Sequence, residues 1–146
     1  MMDALFEEMK ACAREQDLPI LRDSELPLFT GIVASCRPSR VLEIGTCIGY
    51  SALQMAPFLA PGGTITTIEL DRGRYDLACR FFRRSPYASV ITALHGDGTE
   101  LAGALPGPWD FVFLDGPKGQ YGAPAAAAPV QAPARCHRRS RQHRLP

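Results

Sequence analysis

Short apolar runs typical of buried β-strands alternate with helical patterns through most of the chain, and this alternation limits the fold more than any other feature. Four strand-like runs are evident, at 40–44, 64–69, 89–94 and 109–115. Apolar residues recur at helical spacing between them, at 50–59, 72–84 and 99–105. Alternating strands and helices are typical of βαβ units, which build a parallel sheet with helices on both faces. The sequence therefore predicts an α/β fold.

Two helical segments are predicted before the first strand. Leu5 and Met9 belong to an apolar stripe at helical spacing, and Pro19 ends that stretch. Ser24 is predicted to cap a second helix, whose apolar side includes Leu28.

Residues 123–146 break this pattern and are predicted to form a disordered tail behind a folded part, residues 1–122. Val130 and Leu145 are the only aliphatic side chains larger than alanine in the tail. Such a segment cannot bury enough apolar surface to offset the entropy of ordering it. The tail also carries a net charge of +5, against −4 for residues 1–122. A split of this kind is typical of nucleic-acid-binding tails.

Length and composition exclude several classes of protein. The 146 residues provide for one domain. No apolar run reaches the roughly 18 residues of a membrane span, and the charged N-terminus has no signal-peptide core, so no membrane partner is expected. The five cysteines are scattered and form no CxxC pair, which supports neither a disulfide framework nor a zinc site. These features predict a cytoplasmic protein.

A glycine-containing turn, "VLEIGTCIGYS", joins the first strand to its helix. Gly45 and Gly49 allow the backbone to turn sharply and a ligand to approach the main chain, and Ser51 lies in the first helical turn. The spacing is neither the G-x-G-x-x-G of dinucleotide-binding proteins nor a phosphate-binding P-loop. The glycines alone fit a tight structural turn as well as a ligand site.

Two acidic residues follow later strands. Glu69 ends the second strand, where a carboxylate can accept hydrogen bonds from both hydroxyls of a ribose; the alternative is a solvated loop carboxylate. Asp97 follows the third strand and can border an adenine together with Gly98 and Thr99. His95 is interpreted as a partly buried structural histidine.

Asp115 and Lys118 follow the most apolar strand, which places them at the ligand crevice of an open sheet. A carboxylate there suits a hard cation such as Mg²⁺. A lysine near a cation has a lowered pKa and can act as a general base. The alternative is a surface ion pair.

Four segments in this order, "VLEIGTCIGYSAL", "TTIELD", "HGDGTE" and "FVFLDGPKGQY", resemble the class I S-adenosylmethionine-dependent O-methyltransferases. The most similar branch is the cation-dependent one, which includes catechol and caffeoyl-CoA methyltransferases. The resemblance covers about residues 5–121. Within that branch, "EMKACAREQDLPI" and "KGQY" resemble bacterial tRNA 5-hydroxyuridine O-methyltransferases. The resemblance implies a Rossmann-like parallel sheet, of which this chain holds about four of seven strands.

The resemblance also implies a role for each candidate residue. It assigns Glu43 to the amino group of S-adenosylmethionine, Gly45 and Ser51 to its methionine part, Glu69 to the ribose, and Asp97 and Gly98 to the adenine. Gly49 is also counted among the cofactor-binding residues. It assigns Asp115 to the first Mg²⁺ ligand, beside the cofactor, and Lys118 to the base that deprotonates the acceptor hydroxyl. The acceptor is tRNA or a small catechol-like molecule.

The chain departs from this family in two places. Gly116-Pro117 replace the small alanines usual before the lysine. Beyond Tyr121 there is no Asp, Glu or Asn, although the family supplies an adjacent Asp and Asn as further metal ligands. We hypothesise that the tail is an out-of-frame translation, because the codons of residues 135–143, advanced by one nucleotide, permit a strand ending in Asp-Asn. Stop codons in that frame within about 25 codons, the length of a strand–helix unit, would contradict this.

Two other functions remain open at this point. The chain is alternatively an RNA-binding protein whose tail arginines neutralise phosphates, although the tail has no interleaved aromatic residues for base stacking. A further alternative is a fragment that binds the cofactor, or forms a homodimer, without catalysis.

Overall fold

The structure, a computed structural model, describes residues 2–115 and the backbone of residues 135–136. The strands are β1 (Arg40–Ile44), β2 (Thr64–Glu69), β3 (Ile91–His95), β4 (Phe111–Leu114) and β5 (Arg135–Cys136). The α-helices are α1 (Met2–Gln16), α2 (Leu26–Cys36), α3 (Tyr50–Met55), α4 (Arg72–Arg84) and α5 (Gly98–Ala104). Short 3₁₀ helices cover Ala56–Phe58 and Ala88–Val90.

The strands form one sheet in the order β3-β2-β1-β4-β5. The first four are parallel, with Val41 of β1 opposite Ile65 of β2 and Phe111 of β4. This confirms the predicted α/β fold with a parallel sheet of four strands. The β1 strand lies between β2 and β4, so the turn that follows it has strand ends on both sides.

Two apolar cores cover the two faces of the sheet. Successive residues of a strand point to opposite faces, and accordingly Val41 belongs to one core and Leu42 to the other. Helices α1 to α4 contribute buried residues to the first core, and α5 packs against the second through Leu101 and Ala102. Helices therefore lie on both faces, as predicted.

Two helix boundaries differ from the sequence-based prediction. The α3 helix ends at Met55 and continues only as a 3₁₀ turn, because Pro57 has no N–H to donate to the carbonyl of Leu53. Ser24 does not cap α2. The N-cap is Glu25, whose side chain instead accepts the N–H of Arg22 at 2.7 Å.

Two strands begin later than predicted. A 3₁₀ helix occupies the residues before Ile91, where β3 begins. The β4 strand begins at Phe111, because the carboxylate of Asp110 accepts the N–H groups of Ser39 and Arg40, both at 2.8 Å. This carboxylate thereby links the starts of β1 and β4.

The predicted tail is described only at Arg135 and Cys136, whose backbone pairs antiparallel with Val112 and Phe111 of β4. The expectation of disorder for the rest of 123–146, and the RNA-binding alternative that depends on its arginines, lie outside the described residues. Of the described cysteines, Cys12, Cys47 and Cys79 are free, and Cys36 is disulfide-bonded, which the spacing of the cysteines did not predict. Spacing along a chain does not reveal which cysteines meet in space. No helix in the described part is long and apolar enough to cross a membrane.

Candidate functional site

The carboxyl ends of the parallel strands meet along one edge of the sheet, and backbone hydrogen bonds join them there. Gly45 N–H donates to the carbonyl of Ile68 at 2.8 Å, and Asp115 N–H donates to that of Ile44 at 2.9 Å. Gly96 N–H donates to the carbonyl of Glu69 at 2.9 Å. The segments that follow all four strands therefore lie along one edge, where parallel α/β sheets bind their ligands.

The turn after β1 depends on backbone conformations that favour glycine. Gly45 has φ +105° and Gly49, the N-cap of α3, has φ +96°. A β-carbon on Gly49 would lie 2.6 Å from Cε1 of Phe82 in α4. Gly49 is therefore required both for the turn and for the packing of α4 against it. Cys47, between them, also has a positive φ, +54°.

Glu69 fastens this turn to the end of β2. One carboxylate oxygen accepts the N–H of Cys47 at 2.7 Å, and the other accepts the N–H of Asp71 at 2.9 Å. The residue is 1% exposed. Each oxygen keeps a second lone pair, but a ribose reaches the carboxylate only if its neighbours shift. The solvated loop carboxylate considered above is wrong.

Glu43 and Ser51 meet beneath the turn. Ser51 Oγ donates to one carboxyl oxygen of Glu43, and Thr67 Oγ1 donates to the other at 2.7 Å. Burial raises the pKa of Glu43 to about 8; the hydrogen bonds from Ser51 and Thr67 oppose the rise, and the charges of Asp115 and Glu69 add to it. The carboxyl is therefore largely protonated at neutral pH.

Thr67 and Thr46 complete this network, and neither was predicted from the sequence as a site residue. Their hydroxyl oxygens lie 2.6 Å apart, and both residues are buried. Thr67 lies two positions before Glu69, and the sequence does contain a signal for it. A polar side chain at a core-facing position of a buried strand needs a hydrogen-bond partner.

The residues predicted to border an adenine have structural tasks at the start of α5. Asp97 is the N-cap of α5 and accepts the N–H of Glu100 at 2.9 Å. Gly98 is buried, and a β-carbon there would collide with Ile44 of β1. The structure thus places both beside the ends of β1 and β3 and gives each a packing or capping function.

His95 is exposed, which corrects the expectation of partial burial. Its Nε2 lies 3.0 Å from the carbonyl of Leu70, and its ring centroid lies 5.5 Å from that of Tyr75. These contacts agree with the structural role predicted for it. The β3 strand lies at the edge of the sheet, which leaves its last side chain open to solvent.

A small cleft opens between the turn after β1 and the loop that joins α1 to α2. Its lining includes Pro19, Ile20 and Leu21 from the loop, and Thr46, Cys47, Tyr50, Ser51 and Asp115 from the sheet edge. Burial raises the pKa of the Cys47 thiol to about 11, so this thiol is neutral at physiological pH. A neutral thiol is a poor nucleophile.

Asp115 brings a carboxyl to this cleft. Its side chain is exposed at the surface, yet the atoms crowded around the carboxyl desolvate it and, with the negative charge of Glu25, raise its pKa to about 6. Residues 2–115 contain no group of three His, Cys, Asp or Glu side chains that could hold a metal ion. The described residues alone therefore do not form a Mg²⁺ site. Lys118 lies outside the described residues.

Known proteins of one kind are similar to most of this chain. Residues 9–123 match the family model described as O-methyltransferase. Catechol O-methyltransferase of Mus musculus is 27% identical over 115 residues, which cover 75% of this chain and 43% of the mouse protein. Caffeoyl-CoA O-methyltransferase of Stellaria longipes is 27% identical over 100 residues, 64% of this chain and 42% of that protein.

Solved structures show the same likeness. The O-methyltransferase TomG of Streptomyces achromogenes, in complex with S-adenosylmethionine, has a TM-score of 0.71 at 28% identity, over 78% of this chain and 54% of TomG. An O-methyltransferase of Bacillus cereus, in complex with S-adenosylhomocysteine, has a TM-score of 0.70 at 25% identity, over 79% of this chain and 55% of the Bacillus protein. The chain spans about half the length of these relatives.

Proposed function

The chain belongs to the O-methyltransferase family that residues 9–123 match, and on this premise we propose that it takes part in methyl transfer from S-adenosylmethionine to the hydroxyl of a small catechol-like acceptor, assisted by a divalent cation. One observation carries the proposal. The glycine turn, Glu69 and Asp115 lie at the carboxyl ends of three adjacent parallel strands, β1, β2 and β4, at one edge of the sheet. That is where an α/β sheet binds a nucleotide-like ligand.

S-adenosylmethionine supplies an electrophilic methyl group on a sulfonium. The residues of the chain bind and orient it. Ser51, together with Thr46 and Cys47 of the turn between Gly45 and Gly49, lines the cleft for its methionine end, and Ser51 contacts the Glu43 carboxyl. Glu69 holds the ribose, and the start of α5, with Asp97 and Gly98, borders the adenine.

The acceptor side belongs to Asp115 and Lys118. Asp115 is proposed as a cation ligand, and Lys118 as the base that removes the proton of the acceptor hydroxyl. Mg²⁺ requires about six oxygen ligands, and the described residues offer one carboxylate at this place. The remaining protein ligands are therefore to be sought outside residues 2–115.

The side chains that line the cleft favour a small aromatic acceptor over tRNA. Pro19, Ile20 and Leu21 give one wall of the cleft an apolar character. Among the described residues that line it, none is Lys or Arg. A nucleic-acid substrate would need basic side chains near its phosphates.

Calorimetric titration of the 146-residue chain tests this assignment. We expect S-adenosylhomocysteine to bind and NAD⁺, which has ribose and adenine but no methionine, to bind about tenfold more weakly or not at all. Ser51→Ala should weaken the binding of S-adenosylhomocysteine and leave the binding of adenosine unchanged, since Ser51 is assigned to the methionine end. Equal effects on both ligands would contradict that assignment.

The acceptor is tested on the chain saturated with S-adenosylhomocysteine. We expect saturable binding of catechol, measured by ligand-observed NMR, and no competition by a tRNA anticodon stem-loop that contains 5-hydroxyuridine. Competition by the stem-loop, but not by its unmodified counterpart, would favour tRNA instead.

A further inference from the structure

Four buried polar residues form a continuous hydrogen-bonded chain beneath the turn after β1. Thr46 contacts Thr67 at 2.6 Å, Thr67 contacts Glu43 at 2.7 Å, and Glu43 contacts Ser51. These residues come from the turn, from β2, from β1 and from α3 in turn. The hydrogen bonds therefore connect the turn to β1, β2 and α3.

Thr67 lies inside this hydrogen-bonded series and contacts both of its neighbours, Thr46 and Glu43. Its hydroxyl oxygen lies 2.7 Å from Glu43 Oε1 and 2.6 Å from the hydroxyl oxygen of Thr46, where either threonine can donate. The two contacts together restrict the rotamers of Thr46, Thr67 and Glu43.

Thr67 lies outside the lining of the cleft and is 0% exposed, whereas Thr46 and Ser51 at the two ends of the chain line it. Packing alone does not require the hydroxyl of Thr67, because valine has nearly the same shape. What the hydroxyl adds is a fixed position for the turn.

We infer that Thr67 is a positioning residue, which acts through Thr46 and Glu43 to hold the turn after β1 in the conformation that binds the methionine end of the cofactor. This inference rests on the proposed function only for the identity of the ligand. The effect on the turn itself is independent of any ligand.

Amide hydrogen exchange tests the effect on the turn. The N–H groups of Gly45 and Cys47 donate to Ile68 and Glu69, so their exchange reports on the turn directly. In Thr67→Val these two amides should exchange roughly tenfold faster, because the local opening energy falls by about the value of one hydrogen bond. Thr67→Ser, which keeps the hydroxyl, should restore slow exchange.

Thr66→Val is the matched control. Thr66 is the neighbouring half-buried residue of β2, and its side chain points to the other face of the sheet. The Thr66→Val substitution should therefore leave amide exchange at Gly45 and Cys47 unchanged. If Thr67→Val does not fold, Thr46→Val removes the hydroxyl at the other end of the hydrogen-bonded chain and should give the same local acceleration.

Calorimetry with S-adenosylhomocysteine then tests the connection to the cofactor. Affinity should fall about tenfold in Thr67→Val, recover in Thr67→Ser and stay unchanged in Thr66→Val. Wild-type exchange at Gly45 and Cys47 in Thr67→Val, or undiminished affinity, would overturn the inference. Absence of binding to the unmodified chain would contradict the proposed function, while the exchange result would still decide whether Thr67 holds the turn.

Discussion

The carboxylate of Glu69 accepts the backbone N–H of Cys47 at 2.7 Å across 22 positions of sequence. The same carboxylate accepts the N–H of Asp71, so one side chain holds the turn after β1 and the segment after β2 together. Glu69, the candidate ribose-binding residue, thus also holds the candidate methionine-binding turn in place. A substitution in the turn is therefore expected to affect Glu69, and a substitution of Glu69 is expected to affect the turn.

Glu69→Gln is expected to lower affinity for S-adenosylhomocysteine by roughly 1–3 kcal/mol, the value of a charged hydrogen-bond acceptor. The glutamine amide nitrogen cannot accept, so either Cys47 or Asp71 loses its partner. Calorimetry of the two proteins measures the difference. Glu15→Gln, at an exposed position of α1, is the control and should bind as the unmodified chain does. Equal affinity for Glu69→Gln would remove Glu69 from the site.

Gly49→Ala is expected to lower the free energy of unfolding by roughly 2–4 kcal/mol, from backbone strain at positive φ and overlap with the ring of Phe82. Gly62→Ala is the matched control, because Gly62 has φ +78° but no atom within 4 Å of an added β-carbon. The free energy of unfolding of Gly62→Ala should fall by only about 1 kcal/mol, which is the cost of the backbone strain without any overlap. Urea denaturation of both measures the difference. Equal losses would show that contact with Phe82 does not matter.

Glu43→Gln is expected to change the pH dependence of stability. The folded-state pKa of Glu43 is raised, to about 8 from 4.5. Its protonated form is favoured by folding, so this contribution is fully present below about pH 4.5 and is lost as pH rises through about 8. Glutamine stays neutral, so stability relative to the variant should fall over that range. Chemical denaturation measures the free energy of unfolding of both proteins against pH. Parallel curves for the unmodified chain and Glu43→Gln would contradict the protonated state of Glu43.

The chain of 146 residues is expected to show no Mg²⁺-dependent methyl transfer to catechol, because Asp115 is the one candidate carboxylate ligand that residues 2–115 bring to the cleft. Transfer of a radiolabelled methyl group from S-adenosylmethionine, with and without EDTA, measures this. Binding of S-adenosylhomocysteine by the same preparation is the control for correct folding. Transfer that persists in EDTA would show that the chemistry does not need the cation.

Much of the fold could be predicted from the sequence, including the bounds of β1, β2 and α4, whereas the end of α3 and the starts of β3 and β4 could not. Alternation of strand-like and helical patterns predicted the parallel sheet and helices on both faces. Pro57 ends α3 because it has no N–H to donate, and Asp110 bonds to Ser39 and Arg40, about 70 positions earlier in the sequence; periodicity encodes neither effect. The disulfide at Cys36 could not be predicted either, because the sequence spacing of cysteines does not show which of them meet in space.

The candidate site divides in a similar way. Gly45, Glu69 and Asp115 were found from sequence because each follows or ends an apolar strand, and parallel strands bring their carboxyl ends to one edge. The roles of Gly49 and Gly98 in packing became visible only with Phe82 and Ile44 beside them.

The sequence by itself determined which elements form and at which end of the sheet the polar residues collect, because side-chain periodicity and turn chemistry act over a few residues. Only the tertiary structure decided the protonation of Glu43, the inward anchoring of Glu69 and the place of Thr67 between Thr46 and Glu43. Desolvation and hydrogen-bond geometry depend on which atoms from distant segments surround a group, and that is fixed only when the sheet and its helices pack together.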